Sequence, residues 1–335
     1  MRPSRCRVRL HAALAAAALL AAGRPARARA QPANAGVEGG AFLLLPVGAR
    51  AVALGQAATA DGNSTEAIFW NPAGLASLAR GELALYHYDA FFGSGDAIAI
   101  GVPSARLGTF AVAAYLVNYG DLAVTQGNLG PQPVGQISPR NVELMASYAT
   151  DVGGLAAGIT YKLVQFRVDC TGDCTNVPTA TGTTQAVDVG VQYAFGSLRP
   201  VVVGVSLRNL GFNLQINNRA QADPLPTRLS VGVSAQVVRP AVGVQGLDAR
   251  VLADVQGALL EGPFSAVTLV GLESGVGEAL RVRFGYAFLD SNARGPSVGV
   301  GVKFGSIAFD LARTFNAAQD VGDTEPVHVT FRVIF

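Results

Sequence analysis

The last nine residues of the chain alternate: Val327, Val329, Phe331, Val333 and Phe335 share one parity, and His328, Thr330 and Arg332 the other. The same two-residue period recurs in Leu280/Val282/Phe284/Tyr286/Phe288 against Arg281/Arg283/Gly285/Ala287, and in Val298/Val300/Val302/Phe304 against Ser297/Gly299/Gly301/Lys303. Period two belongs to a strand, whose successive side chains point to opposite faces. One face of each segment is apolar, and the other holds mostly Gly, Ala, Ser and Thr with isolated ions. A water-soluble sandwich would bury the apolar face and cover the other with charge, which is missing here. The pattern predicts an all-β membrane protein, a closed antiparallel transmembrane barrel with lipid outside, a polar lumen and strands of about 9–11 residues.

Turn residues divide 81–335 into fourteen such segments, an even number as bacterial barrels of this kind have. With the first strand running outward, the long connections 120–139, 169–183, 211–226 and 317–325 fall at one end. The short ones at 151–153, 196–199, 275–278 and around Gly305 fall at the other, as external loops and periplasmic turns should. Connections 239–246 and 258–263 fit less well, the first long for a turn and the second short for a loop. Beyond residue 30 no stretch holds eighteen consecutive apolar residues, which excludes spanning helices.

Composition narrows the class. Of 335 residues 50% are hydrophobic and only 14% charged, which excludes a disordered chain, a coiled coil and a basic nucleic-acid binder. The formal charge of +2 is misleading, because seven of the 25 basic residues lie in the first thirty, which contain no acid; the rest carries 18 basic against 23 acidic residues, a net −5. Those thirty residues have a basic start, an apolar stretch over 12–22 and Ala28-Arg29-Ala30 before Gln31, the layout of a cleaved secretory signal. Cys6 leaves with it. In an exported protein, Cys170-Thr-Gly-Asp-Cys174 is expected to form a disulfide closing a small loop. Two thiols make no metal site without further ligands, and only His87 and His328 remain after residue 30, so neither metal nor cofactor is expected. A terminal aromatic on an alternating last strand, Phe335, is the usual signal to the barrel-assembly machinery. It places the protein among the lipids of a Gram-negative outer membrane.

Residues 31–80 do not alternate. Ala41-Phe-Leu-Leu-Leu-Pro-Val-Gly-Ala-Arg50 leads into small residues, then Asp61-Gly-Asn-Ser-Thr-Glu-Ala-Ile-Phe-Trp70, then Asn71-Pro72-Ala73-Gly74-Leu75. Asn63 with Glu66 can cap one helical turn, and Asn71 before Pro72 another. Such a segment, with short helices ahead of a barrel, has one economical location, folded into the barrel mouth as a hatch.

Gly48-Ala-Arg50 with Gly55, followed by Ala67-Ile-Phe-Trp-Asn-Pro-Ala-Gly-Leu75, resembles the N-terminal signature of the PorV/PorQ branch of the FadL-like outer-membrane proteins. Leu225-Pro-Thr-Arg-Leu229, Phe284-Gly-Tyr286 and Phe309-Asp-Leu-Ala312 look like later landmarks of that family. The chain departs from it at Gly55-Gln-Ala-Ala58, where a Met-Gly-Gly-Ala type sequence is common. The resemblance implies a fourteen-strand barrel with a hatch and one of two jobs. One is passage of a hydrophobic or amphipathic small-molecule ligand, as in FadL; the other is escort of secreted protein cargo, as in PorV of the type IX secretion system.

Alternation puts Glu143, Lys162, Asp188, Arg208, Arg228, Asp254, Arg281, Arg283, Lys303, Asp310 and Arg332 on the lumen face. They either pair in ladders with neighbouring strands and the hatch or form a binding surface. Arg281, Arg283, Lys303 and Arg332 outnumber Asp310 on the last four strands, where an anionic head group could lodge. The turn Asn71-Pro72-Ala73-Gly74-Leu75 is either the movable part of the hatch or its lock, with Gly74 letting a barrel strand approach. A catalytic serine would need a base, but His87 by parity faces lipid and His328 the lumen, so no enzyme is expected.

Overall fold

The computed structural model describes residues 38–90, 93–126, 132–174, 180–196, 200–215, 222–238, 246–259, 266–277, 279–288, 295–315 and 326–335. The expected secretory signal, connection 317–325 and most of connections 239–246 and 258–263 lie outside them.

The strands are Glu82–Ala90 (β1), Gly93–Ser104 (β2), Gly108–Asn118 (β3), Leu122–Gln126 (β4), Gln132–Val152 (β5), Leu155–Gly172 (β6), Ala180–Phe195 (β7), Val201–Gly211 (β8), Leu214–Gln215 (β9) and Ala222–Asp223 (β10). They continue with Arg228–Val238 (β11), Leu247–Ala258 (β12), Ala266–Val276 (β13), Leu280–Phe288 (β14), Gly295–Phe304 (β15), Ile307–Thr314 (β16) and Val327–Ile334 (β17). Fourteen of them, all but β4, β9 and β10, form a closed antiparallel ring among the described residues. The seam runs from Glu82 opposite Ile334 to Asp89 opposite Val327, and the Phe335 amide donates to the Gly81 carbonyl at 2.8 Å. Closure leaves no sheet edge within the ring.

Outside and inside follow the sequence parity. On β1 Leu85 is exposed while Ala84, Tyr86 and Tyr88 are buried, and Ile98, Ile100, Phe110 and Val112 continue the outward apolar face. This is the wall a bilayer requires, with every strand backbone paired to a neighbour.

Two stretches differ from the sequence reading. The segment 120–139 contains β4 and the start of β5, and the connection 169–183 contains the end of β6 and the start of β7. The pair Asn118 and Arg140 ends the β3–β5 ladder, whereas β5 continues against β4 and β6 as far as Gln132 and Gly135. At about 3.3 Å per residue this makes a flap reaching roughly 25 Å beyond the ring. Apolar alternation vanishes there because neither face meets lipid, so a polar strand reads as a loop. Cys170 and Cys174 are disulfide-bonded at the flap's margin, where β6 ends.

A bulge interrupts the β7–β8 ladder, with Asp188 facing both Arg208 and Asn209. Asn209 takes φ 60°, and its amide donates to the Asp188 carboxylate at 2.7 Å. Lys162 fills the space behind it, 2.8 Å from Asp188, 3.0 Å from Glu143 and 2.9 Å from the Asn209 side-chain oxygen.

Candidate functional site

The lumen is filled by residues 38–80. They form short helical pieces, Ala41–Leu44, Ala49–Ala53, Ala67–Trp70 and Pro72–Ser77. None is long enough to hold itself in water, so contacts with the wall must fix them. Asn71 caps Pro72–Ser77 as its position before proline predicts, its side-chain oxygen accepting from the Ala73 amide at 3.1 Å. Glu66 does not cap its own turn with Asn63. Its carboxylate accepts from the Ala51 amide at 2.6 Å, on the piece Ala49–Ala53.

The wall receives the hatch through a belt of glycines. A Cβ on Gly101, Gly158, Gly190, Gly204, Gly232, Gly271, Gly285 or Gly299 would come within 3 Å of a hatch atom. At Gly285 it would overlap the Gly55 nitrogen, and at Gly158 the backbone of Pro72 and Ala73. The glycines of the lumen face are thus seats for the hatch, for its backbone at Gly158, Gly204, Gly271 and Gly285 and for its side chains at the other four. Gly74 gives its space to Asp61 and Gly62 within the hatch, and the barrel's own Gly158 and Gly190 admit the Asn71–Pro72 turn; the approach comes from the opposite partner to the one the sequence suggests.

The turn is pinned. Asn71 is fully buried, donates to the Thr59 carbonyl at 2.7 Å, and lies beside the Val191 and Val205 carbonyls of β7 and β8. Pro72, Ala73, Gly74 and Leu75 are buried with it. Gln192 of β7 donates to the Thr59 and Asp61 carbonyls at 2.9 and 2.7 Å, and Arg208 of β8 to the Phe69 carbonyl at 3.0 Å. The Arg208 guanidinium also lies 5.1 Å over the Trp70 ring.

On β12–β17 and β1 the link is ionic. Arg50 of the hatch pairs with Asp61 at 2.8 Å, Asp61 with Arg250 at 2.8 Å, and Arg250 with Glu273 at 2.8 Å. Glu273 also holds Arg283, which reaches Asp310 at 2.7 Å, and Asp310 holds Arg332 at 2.8 Å. Arg332 approaches Glu82 at 3.5 Å, and Glu82 returns to the hatch by accepting from the Thr65 amide and hydroxyl at 2.8 and 2.7 Å. Arg281 pairs with Asp248, and Lys303 also has a partner. The cations singled out by sequence are therefore engaged by the protein's own groups, and an anionic ligand would have to displace one.

Beside this chain a cavity of about 10 Å³, the room for one water, lies among Arg50, Asp61, Glu66 and Trp70. Burial pushes the Glu66 carboxyl up to about 7, against the pull of the Arg50 guanidinium and the Ala51 amide. Burial acts the same way on Asp61, but Arg250 and Arg50 outweigh it and hold that carboxyl below its ordinary value. A raised folded-state value means that Glu66 favours the seated hatch in its protonated form. This contribution is full below the ordinary 4.5 and is lost as pH rises through about 7. Melting curves should show the hatch loosening over that range, and Glu66→Gln should flatten the change.

The long-loop end is capped. Leu214 and Leu225, from the connection 212–227, are buried in one cluster with Phe42 and Leu43. The Gly39 amide donates to the Pro224 carbonyl at 2.9 Å, and both carboxylate oxygens of Glu38 meet Arg228, at 2.5 and 2.6 Å. Sequence reasoning does not find Glu38, which precedes the first helical piece Ala41–Leu44 and carries no local motif. His87 is on the outward face with Asp96 at 2.8 Å, and His328 is in the lumen with its ring 5.2 Å from that of Tyr88.

No curated protein matches the chain in sequence. Among solved structures it is similar to the toluene transporter TodX of P. putida, at 10% identity and a TM-score of 0.55 over 86% of this chain and 98% of that one. The toluene transporter TbuX of Ralstonia pickettii gives 14% and 0.51 over 86% and 98%. The monoaromatic hydrocarbon channel CymD gives 13% and 0.52 over 87% and 98%. At such identities the likeness is one of fold, a closed antiparallel outer-membrane barrel. The model of the uncharacterised protein family UPF0164 matches residues 13–246, more than half of the sequence, and the chain belongs to that family.

Proposed function

We propose that this protein passes hydrophobic small molecules across the outer membrane of a Gram-negative bacterium, with the long-loop end facing outside. The carrying observation is the hatch pressed onto the glycine belt around most of the lumen. An open aqueous pore has no use for such a filling, whereas a substrate that avoids water gains from a lumen without a continuous water column. The fold shared with TodX, TbuX and CymD, described as toluene transporters and a hydrocarbon channel, supports the same reading. The Asn71–Leu75 turn acts in it as the lock of the hatch.

The test is uptake of labelled toluene and of labelled long-chain fatty acid by a strain lacking the protein, with and without the restored gene. The proposal expects restoration to raise uptake of at least one tracer severalfold. Equal uptake in both strains, with the barrel folded at the surface, would remove it for those substrates.

A second reading, escort of secreted proteins as the PorV/PorQ resemblance implies, is favoured by the flap. Among the described residues its end strand β4 pairs with β5 alone, and it carries no charged residue, which leaves backbone groups open to a partner strand. Other type IX components encoded in the same genome would strengthen that reading.

A further inference from the structure

The hatch is attached unevenly around the ring. Hatch backbone presses on wall glycines along β6, β8, β13 and β14, and hatch side chains press on those of β2, β7, β11 and β15. Polar side chains hold it from β12 and β17 as well, where Asp254 accepts from the Thr59 amide at 2.7 Å and Thr330 from the Ala49 amide at 2.9 Å. Along β3, the lumen half of β5 and the middle of β1 the contact changes character. Among the described residues no hydrogen bond or ion pair of the hatch ends on β3 or β5, and neither strand places a glycine against it. Instead Phe69 stands edge-on to Tyr86 and Tyr115, with ring centroids 5.5 and 6.5 Å apart, and Met145 is buried in the same cluster. Towards the short-turn end the wall opposite Ile68 and Leu75 is lined by the small side chains of Ala99, Ala111, Ala113 and Ala149.

These sides differ in what opening them costs. On the glycine side a guest must move backbone, and on the β12–β17 side it must separate buried ion pairs and leave charges without partners in the lumen. On the β1–β3–β5 side it needs rotation of Phe69, Met145 and their neighbours and the parting of one hydroxyl pair, Thr65 with Tyr86 at 3.0 Å, and the packing those side chains give up is remade against an apolar guest. Resting on the transport reading above, we propose that the substrate path runs between the hatch and β1, β3 and β5, past Phe69, Tyr86, Tyr115 and Met145, while the hatch stays seated. Its substrates are neutral apolar molecules, aromatic ones included.

The experiment uses the full chain in the outer membrane of living cells. Met145→Cys and Leu252→Cys are each exposed to a small neutral maleimide, with and without excess toluene; the native cysteine pair is disulfide-bonded and silent. Leu252 is the comparison because it is equally buried, in the cluster with Leu54 on the opposite side. The proposal expects labelling at Met145→Cys, severalfold slower with toluene present, and little at Leu252→Cys. It also expects Phe69→Ala to raise uptake of a larger neutral aromatic, naphthalene, severalfold over wild type, and Leu54→Ala to leave it unchanged. Faster labelling at Leu252→Cys, or an equal gain from Leu54→Ala, overturns the path while leaving transport intact. Labelling at Met145→Cys with no tracer carried supports the path as a binding lane and removes the transport reading instead.

Discussion

Gly285→Ala is expected to unseat the hatch, although it adds one methyl group. The new carbon would overlap the Gly55 nitrogen and the Leu54 carbonyl carbon, and neither is the end of a side chain that can rotate away. Overpacking a core ordinarily costs about 1–3 kcal/mol, and a clash between two backbones belongs at or above the top of that range. Gly158→Ala, facing the backbone of Pro72 and Ala73, should act alike. The strand ladders do not depend on either position's side chain, so the barrel still closes. Limited proteolysis should then cut within 38–80 at least about tenfold faster than in wild type, while the band remains heat-modifiable on gels. Val231→Leu, at an outward position 48% exposed, should change neither. A hatch as resistant as wild type in Gly285→Ala would mean that the belt is not what seats it.

Asp310→Ala is expected to be the most damaging single change in the ionic chain. Asp310 is 1% exposed and is shared by Arg283 and Arg332, so its loss leaves two guanidiniums facing each other with fewer partners. Removing one side of a buried pair typically costs about 3–5 kcal/mol, most of it the penalty of the charge left behind. The loss should be nearly independent of salt, because a lumen packed with side chains leaves little room for a screening ion. Arg167→Ala offers the contrast: its pair with Asp169, at 2.8 Å, stands half in solvent on the flap and should be worth less than about 1 kcal/mol. Melting of both variants in detergent at low and high salt checks the two expectations together.

The ring is legible in the sequence because lipid on one side enforces period two, and no competing pattern disguises it. Glu143, Lys162, Asp188, Arg283, Asp310 and Arg332 fall on the lumen side by parity alone, and the structure puts them there. Their partners are not legible, since Asp61 meets Arg250 and Glu82 meets Thr65 through a hatch path that no local rule encodes. The flap escapes a sequence reading for a related reason: with water on both faces, Gln136, Ser138 and Arg140 need no apolar alternates. The glycine belt is visible but ambiguous. A glycine on a lumen face reads the same whether water or a hatch backbone lies against it, and only the fold distinguishes the two. The Asn71–Pro72 cap is legible because capping is local; the bond from Ala51 to Glu66 is not, because it joins pieces fifteen residues apart.

The lumen as a filled path for molecules that avoid water, and not an aqueous pore, is tested most directly by electrical recording of the purified full-length protein in a planar lipid bilayer. Ions cross only where water is continuous, and the hatch with its cap of Leu214 and Leu225 interrupts it. The expected record for wild type is a silent membrane with no steady current, changing to ion-conducting events in Gly285→Ala as the hatch leaves its seat. A stable wild-type conductance of the size given by open porins would contradict the account.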